Sequence, residues 1–255
     1  MTHLSINLNK IALIRNSRDT RHPDPVEFAG LVVAAGAHGI TVHPRPDQRH
    51  IRASDCVRLG ESRQTELNVE GNPFAASRRS NRGDVGDYPG FMALVEQVQP
   101  DQVTLVPDGD NQLTSDHGFN LTRDGEALRP IVEQLKSWGC RVSLFMDPDS
   151  EQIPLARDLG ADRIELYTES YAKAHERGDA GTELGRFQRA AAAAMATGLG
   201  VNAGHDLNLA NLPDFRIPAL LEVSIGHAFT IDSLRYGIED AVHRYLDALA
   251  VAQID

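Results

Sequence analysis

The sequence contains 255 residues, of which 41% are hydrophobic and 24% are charged, and its formal net charge is −11. This composition excludes fibrous and largely disordered proteins, and the acidic charge argues against binding to nucleic acid or to a membrane surface, which need a basic face. Small anionic substrates are compatible with it, because a local cationic site can lie inside an acidic protein.

Short apolar segments alternate with helical patterns about eight times along the chain. The predicted strands are rich in leucine or β-branched residues and span residues 4–14, 39–44, 67–71, 102–108, 141–147, 163–169, 200–205 and 222–227. This alternation predicts a parallel sheet, and eight units in a chain of this length favour a closed TIM (β/α)₈ barrel, as one domain over residues 1–255. The glycine fingerprint of an open dinucleotide-binding sheet is missing after the first strand.

The helical patterns carry recognisable start and stop signals. One helix is predicted from Asp24-Pro25 to Gly36, and the next is predicted to begin with Ser54 as its N-cap. Further helices are predicted over residues 128–138, 187–197 and 232–250. Two polar segments, residues 77–90 and 108–127, do not fit the repeat, and we expect them to form loops on the carboxyl-terminal face of the barrel.

Neither the first residues nor any later segment resembles a membrane or export signal. The start of the chain lacks the layout of a signal peptide, and no apolar run approaches the ~20 residues needed to span a bilayer. We therefore predict a soluble cytoplasmic protein. Cys56 and Cys140 lie far apart without the spacing of metal ligands, so both are predicted to be reduced thiols.

Polar residues near the ends of the predicted strands carry the functional signal. Inward-facing positions of parallel strands are expected to be apolar, and the active sites of barrels lie at the carboxyl ends of the strands. The polar residues at these ends are Asn7, Asn9, Lys10, His43, Arg45, Asn68, Glu70, Asp108, Asp147, Glu165, Asn202, His205 and His227. Several imidazoles and carboxyls converging on one face indicate proton transfer.

Each of these residues also has a plain structural interpretation. His43 or His205 alone would suit a hydrogen-bonded structural role, and Asp147 is better explained as the cap of the following helix. Glu70 and Glu165 lie inside apolar strands, where burial would raise their pKa values and suit them to proton transfer. A buried ion pair with an arginine is the alternative for both.

Two segments are candidates for binding anions. Gly226 and His227 follow the last strand and begin a helix, and the loops after strands seven and eight are the usual phosphate site of barrels. The second candidate anion site comprises Arg45, Arg49 and His50. The alternative interpretation is that these residues lie in a solvated basic loop that binds no anion.

Several motifs occur in order along the chain and together are highly specific. They are NLNKIALIRNSR, PDPV, GITVHPRPDQRHI, LNVEG, VTLVPD, RIELYT, VNAGHDLN and SIGHA. From Leu4 to the last helix, the chain resembles the pyridoxine 5'-phosphate synthase (PdxJ) family. The resemblance implies condensation of 1-deoxy-D-xylulose 5-phosphate with 3-amino-2-oxopropyl phosphate to give pyridoxine 5'-phosphate, phosphate and water. It further implies no metal, no organic cofactor, extra helices around the barrel and a homo-octamer.

The resemblance also implies roles for individual residues. His43 and Glu70 match the general bases of the family, His205 matches its proton donor, and Glu165 matches a carboxylate that stabilises a transition state. The residues that match substrate contacts are Asn7 and Arg18 for the amino ketone, Arg45, His50 and Thr114 for the deoxyxylulose phosphate, and the pair Gly226 and His227 for phosphate. The loop that carries Thr114 is the candidate lid.

The chain departs from the family pattern at a few binding positions. Asn9 and Lys10 stand where other members have Asp and His, and Asp206 stands where they have Gly in a substrate contact. We still expect all three to contact substrate. Glu169 follows Thr168 at a position where other members often have Gly. The insertion around Ser80 is longer than in other members.

Three alternatives are left open by the residues. A class I aldolase-like barrel would use Lys10 as the lysine of a Schiff base. A metal-dependent hydrolase would draw its ligands from the histidines and glutamates of the site, although no HxH pair lies on the first strand. A barrel that binds ligands without catalysis is the third, and the changes at Asn9 and Lys10 motivate it.

Overall fold

A computed structural model describes residues 1–18, 20–109, 112–148 and 151–252. The described strands are β1 (His3–Asn7), β2 (Gly39–Val42), β3 (Glu66–Gly71), β4 (Gln102–Leu105), β5 (Arg141–Met146), β6 (Arg163–Tyr167), β7 (Gly200–Gly204) and β8 (Leu220–Ile225). All neighbouring strands pair in parallel, and β8 closes the barrel onto β1. The predicted eight-stranded barrel is therefore confirmed.

Helices cover the outside of this barrel. They are α1 (Asn9–Asn16), α2 (Pro25–Ala34), α3 (Ala53–Glu61), α4 (Phe91–Val98), α5 (Leu121–Ser137), α6 (Ile153–Asp158), α7 (Glu169–Glu176), α8 (Ala180–Ala196), α9 (His227–Tyr236) and α10 (Ile238–Ala252). A short 3₁₀ helix spans Leu212–Asp214. The connections after β1, β6 and β8 each contain two α-helices, which are the extra helices that the resemblance implied. Within the described ranges, no helix is both long and apolar enough to cross a lipid bilayer.

The boundaries of several predicted elements were wrong. The first strand ends at Asn7, and α1 begins at Asn9, because the apolar run IALI suits a buried helix face as well as a strand. The long final helix is two helices that meet at Gly237, whose φ of 86° is accessible mainly to glycine. Ser54 lies inside α3, and Arg52 is the N-cap.

Asp147 was also assigned wrongly as a helix cap. The N-cap of α6 is Gln152, and Asp147 Oδ1 accepts a hydrogen bond of 3.2 Å from the backbone N–H of Gly118. Asp147 thereby ties the end of β5 to the loop after β4. By contrast, Asp24 caps α2 as predicted, since its side chain accepts from the backbone N–H of Val26.

The inside of the barrel is polar, which contradicts the expectation of apolar inward positions. Gln102 Nε2 of β4 donates to Glu222 Oε1 of the opposite strand β8 at 3.3 Å, and Asn202 Nδ2 of β7 donates to Gln102 Oε1 at 3.4 Å. The alternate residues, such as Val69 and Ile164, belong to the apolar core formed with the helices. Buried polar groups are tolerated inside because they bond to one another across the barrel.

Helix α1 fixes the segment that follows β2. The guanidinium of Arg15 pairs with both carboxylate oxygens of Asp55 and donates to the backbone carbonyl of His50 at 3.0 Å. The amide of Asn16 donates to three successive carbonyls, those of Gln48, Arg49 and His50. The segment carrying the predicted anion-binding residues is therefore held rigidly from the side of α1.

Candidate active site

The carboxyl ends of the strands surround a cavity of about 1020 Å³. All eight strands, or the segments directly after them, contribute lining residues: Asn7, His43, Glu70, Val106, Phe145, Glu165, His205 and Ser224. Among the other predicted site residues, those that line the same cavity are Asn9, Lys10, Arg45, His50, Thr114, Asp206, Gly226 and His227. Residues that are far apart in the sequence thus meet around one mouth.

Arg18, which the resemblance matched to a contact with the amino ketone, does not line this cavity. It is exposed in the turn after α1, where its backbone N–H donates to the carbonyl of Arg15. Its match to an amino-ketone contact therefore stays a prediction.

Asn9 and Lys10 lie on the first turn of α1 and not on strand β1, where they were predicted. Asn9 Oδ1 accepts a hydrogen bond of 2.9 Å from the backbone N–H of His43, while its own backbone N–H donates to Asn7 Oδ1. Asn9 thereby connects the ends of β1 and β2. Lys10 lines the cavity and is one of the positive charges that lower the pKa of His50.

His43 lies between two carboxyl groups at the base of the cavity. Its Nδ1 is 3.9 Å from Glu70 Oε2, and its Nε2 is 4.0 Å from Asp108 Oδ2. Burial lowers the pKa of His43 well below its ordinary value, and the charges of Arg45 and Arg49 lower it further. His43 is consequently neutral near pH 7 and has an acceptor nitrogen for a proton.

Glu70 and Glu165 are buried, and among the described residues no arginine or lysine pairs with either carboxyl. Burial raises the pKa of Glu70 well above its ordinary value, with a further contribution from the charge of Glu165. For Glu165, burial and the charge of Glu222 raise the pKa to about 8, against a weak hydrogen bond from Thr104 Oγ1 at 3.5 Å. The raised pKa values bring the ionisation of both carboxyls closer to neutral pH, which suits groups that exchange protons with a substrate.

A glycine makes room for one of these carboxyls. Gly204 ends β7 and pairs with Tyr167 of β6, and a Cβ added at Gly204 would clash with Glu165 Oε1. Any other residue at this position would displace the carboxyl group from its place in the cavity wall. The position of Glu165 thus depends on a neighbour that the sequence prediction did not connect with it.

His205 and Asp206 both adopt the left-handed backbone region, with φ values of 85° and 59°. This conformation explains why glycine suits position 206 in the family, and aspartate is one of the few other residues that tolerate it. Asp206 Oδ2 lies 3.1 Å from His205 Nδ1, and His205 Nε2 lies 3.1 Å from Thr114 Oγ1 in the loop after β4. The hydroxyl of Thr168 donates to the carbonyls of Gly204 and His205, which holds the turn.

The segment after β2 carries the first group of cationic side chains. Arg45 is buried, pairs with Asp108, and donates to the backbone carbonyl of Gln112 at 3.3 Å. Arg49 donates to the same carbonyl at 3.0 Å. Burial and the charges of Arg45 and Arg49 lower the pKa of His50 to about 3, so His50 is neutral and its Nδ1 accepts from the backbone N–H of Ile51.

A second polar region lies where β8 meets α9. Gly226 is the N-cap of α9, and His227 is the first residue of that helix. A Cβ at Gly226 would lie 3.1 Å from the Cβ of Asn7, so glycine allows β1 and the start of α9 to approach closely. The free N–H groups and the dipole at the start of α9 form a favourable environment for an anion.

The sequence prediction did not assign a role to Asp108 or Ser115. Asp108 accepts hydrogen bonds from both Arg45 and Ser115 Oγ, the latter at 2.8 Å. The only signal for Asp108 was its place at a strand end, and Ser115 gave none, because it lies in an irregular loop. Residues 110 and 111 of this loop lie outside the described residues.

Comparisons with known proteins agree on the family. The model of the family "Pyridoxal phosphate biosynthesis protein PdxJ" matches residues 4–251. A pyridoxine 5'-phosphate synthase of Xanthomonas campestris pv. campestris (strain B100) is 53% identical over 254 residues, covering 98% of this chain and 96% of the relative. The enzyme of the same name from Xylella fastidiosa (strain M23) is 51% identical over 253 residues, covering 97% and 95%.

Solved structures support the fold alone. The chain superposes on 3-keto-L-gulonate-6-phosphate decarboxylase from Vibrio cholerae with a TM-score of 0.62 at 10% identity, covering 98% of this chain and 97% of that one. For the α subunit of tryptophan synthase from Legionella pneumophila, the TM-score is 0.59 at 11% identity, with coverage of 98% and 93%. Given the family match over nearly its whole length and relatives at about half identity, the chain belongs to the PdxJ family of pyridoxal phosphate biosynthesis proteins.

Proposed function

We propose that this chain is a pyridoxine 5'-phosphate synthase, which condenses 1-deoxy-D-xylulose 5-phosphate with 3-amino-2-oxopropyl phosphate to give pyridoxine 5'-phosphate, phosphate and water. The family match and the names of the relatives support this activity. The observation that carries the chemistry is the convergence of two buried carboxyls, Glu70 and Glu165, and two imidazoles, His43 and His205, on one cavity.

The reaction requires repeated proton transfer. The substrate amine attacks a ketone, water and phosphate leave, and a ring closes, so protons are removed and returned at several atoms. His43 and Glu70 are the proposed general bases: His43 is neutral and can accept a proton, and the Glu70 carboxyl lies 3.9 Å from its Nδ1. His205, which lines the same cavity, is the proposed proton donor, and Glu165 is proposed to stabilise a transition state.

Two phosphorylated substrates need two anion sites. The first proposed site comprises Arg45, His50 and Thr114, with Lys10 adding positive charge at the same end of the cavity. The second comprises Asn7, Gly226 and His227 at the start of α9. Asn9 and Asp206 are proposed to complete the contacts with the substrates. Asn9 fixes the end of β2 through the backbone N–H of His43, and Asp206 acts through its contact with His205.

The loop after β4 is the proposed lid. Its Thr114 reaches His205 across the mouth, and the carbonyl of Gln112 accepts from Arg45 and Arg49. Closure of this loop would shield the imine intermediate from bulk water. Several expectations stay predictions. They are the single-domain organisation, the homo-octamer, the cytoplasmic location, the substrate contact by Arg18 and the independence from metals and cofactors.

The direct test is to mix the purified protein with both phosphates and to follow pyridoxine 5'-phosphate by absorbance and mass. We expect product from the wild type and none from His43→Ala. Arg45→Ala should mainly raise the KM for the deoxyxylulose phosphate, because one charged contact to phosphate is lost. Failure of the folded wild type to form product from the two substrates would refute the proposal.

A further inference from the structure

Asp108 carries a buried carboxylate for which the proposed roles leave no use. Its Oδ2 accepts hydrogen bonds from the Arg45 guanidinium and from Ser115 Oγ, and its backbone carbonyl accepts from Asn72 Nδ2 at 2.8 Å. In the described part of the chain, its other oxygen, Oδ1, is buried without a hydrogen-bond partner. A carboxylate held in this way is fixed in position by β3, by the segment after β2 and by the loop after β4.

The same carboxylate lies beside the proposed base. His43 Nε2 is 4.0 Å from Asp108 Oδ2, while Nδ1 on the other side of the ring is 3.9 Å from Glu70 Oε2. The remaining charged or titratable groups that act on the ring are Arg45, Arg49 and His50. The positive charges of Arg45 and Arg49, in the segment after β2, therefore oppose protonation of His43.

Of the two neighbouring carboxyls, Asp108 is the better anion. Burial and the charge of Glu165 raise the pKa of Glu70 well above its ordinary value, and no arginine or lysine among the described residues pairs with the Glu70 carboxyl. Burial also raises the pKa of Asp108, but the charge of Arg45 and the hydrogen bonds from Ser115 and Arg45 favour its ionised form. The negative charge that would stabilise a protonated His43 therefore comes from Asp108.

We propose that Asp108 is a positioning residue of the reaction: its carboxylate orients Arg45 for a substrate phosphate and supplies the negative charge that His43 faces when it accepts a proton. This inference rests on the proposed function. In the step concerned, the proton moves from the substrate to the imidazole, and the electron pair of the broken bond stays on the substrate. Asp108 touches neither the substrate nor the proton, and it acts through Arg45 and His43.

The test is Asp108→Asn, which keeps the size of the side chain and removes its charge. We expect kcat to fall by at least about tenfold, because a base without its counter-charge loses part of the ~10²–10⁴-fold contribution of general base catalysis. The KM for the deoxyxylulose phosphate should rise at the same time, because Arg45 loses its partner. The KM for the amino ketone phosphate should stay within about twofold, since its proposed site lies at the other end of the cavity.

Two further variants separate charge from packing. Asp108→Glu retains the charge and should recover a large part of the lost kcat, although the longer side chain shifts the carboxylate. Asp84→Asn makes the same chemical change at an exposed aspartate that is paired with Arg52 and Arg82, and it should match the wild type in all constants. Circular dichroism and thermal unfolding confirm that each variant is folded.

The outcomes separate the two proposals. If the wild type forms product and folded Asp108→Asn matches it within about twofold in kcat and both KM values, the inference about Asp108 is overturned and the proposed function stands. If Asp108→Asn and Asp108→Glu lose kcat equally, or if both KM values rise together, Asp108 acts by packing, which also overturns the inference. A wild type that forms no product overturns the proposed function, and the inference that rests on it fails as well.

Discussion

The two ends of the barrel interior contain buried carboxyl groups in opposite environments. At the amino ends of the strands, Glu222 accepts from Gln102 at 3.3 Å and lies 3.4 Å from a guanidinium nitrogen of Arg163. Glu66, at the same end, pairs with Arg141. Glu222 and Glu66 therefore each have an arginine partner, which is the arrangement expected of a structural ion pair.

At the carboxyl ends of the strands, Asp108 pairs with Arg45, but the two buried glutamates lack such partners in the described part of the chain. Among the described residues, no arginine or lysine forms an ion pair with Glu70 or Glu165. Burial raises the pKa of Glu165 to about 8 and that of Glu222 to about 7, so the two ends differ in ion pairing and not in the direction of the shift. This difference in ion pairing supports the proposal that glutamates serve stability at one end of the barrel and proton transfer at the other.

At the amino end, breaking an ion pair is expected to reduce stability. Arg163→Met removes the cation beside Glu222 and should lower the free energy of unfolding by about 2 kcal/mol, less than for a fully buried pair because the side chain of Arg163 is 17% exposed. Urea denaturation measures this loss. The kcat of the folded variant should be unchanged within about threefold, and a large loss of kcat would show that the two ends are not separate in function.

A smaller effect is expected from crowding the carboxyl end. Gly204→Ala places a methyl group against Glu165 Oε1 and should reduce kcat by about tenfold, since small displacements of catalytic groups weaken transition-state contacts. Steady-state kinetics measures this loss. Gly200→Ala is not a suitable control, because its Cβ would also clash. Gly198→Ala changes a glycine with open space around it, outside the cavity, and should leave kcat unchanged even if its φ of 76° reduces stability.

A further effect is expected on the pH dependence of stability. Because the folded pKa of Glu165 is about 8 and lies above the ordinary value of 4.5, the unfolded chain ionises this group first. Its contribution therefore destabilises the fold progressively as pH rises from about 4.5 to about 8. Urea denaturation between pH 5 and pH 9 should show a shallower loss of stability for Glu165→Gln than for the wild type. Parallel curves would contradict the raised pKa.

Much of the fold could be predicted from the sequence, because parallel strands and amphipathic helices differ in length and period. The end of the first strand could not, since the run IALI fits either element. The split between α9 and α10 had a signal in Gly237, but the helical spacing on both sides of it favoured one long helix.

The sequence predicted which residues form the site, but not how those residues contact one another. His43, Glu70, Glu165 and His205 stood out because polar residues at the ends of apolar strands are unusual. The counter-charge from Asp108 and the room left by Gly204 depend on distances between different strands, which no local pattern encodes. The polar interior was missed for a related reason: its hydrogen bonds cross between strands that are far apart in the sequence.

The comparison is tested most directly by the same substitution at each end of the barrel. We predict that Glu70→Gln loses turnover by about 10²-fold or more, measured as pyridoxine 5'-phosphate formed from the two phosphates. Glu222→Gln should keep kcat within about threefold of the wild type. Equal losses in the two folded variants, or wild-type turnover by Glu70→Gln, would contradict the assignment of proton transfer to the carboxyl end.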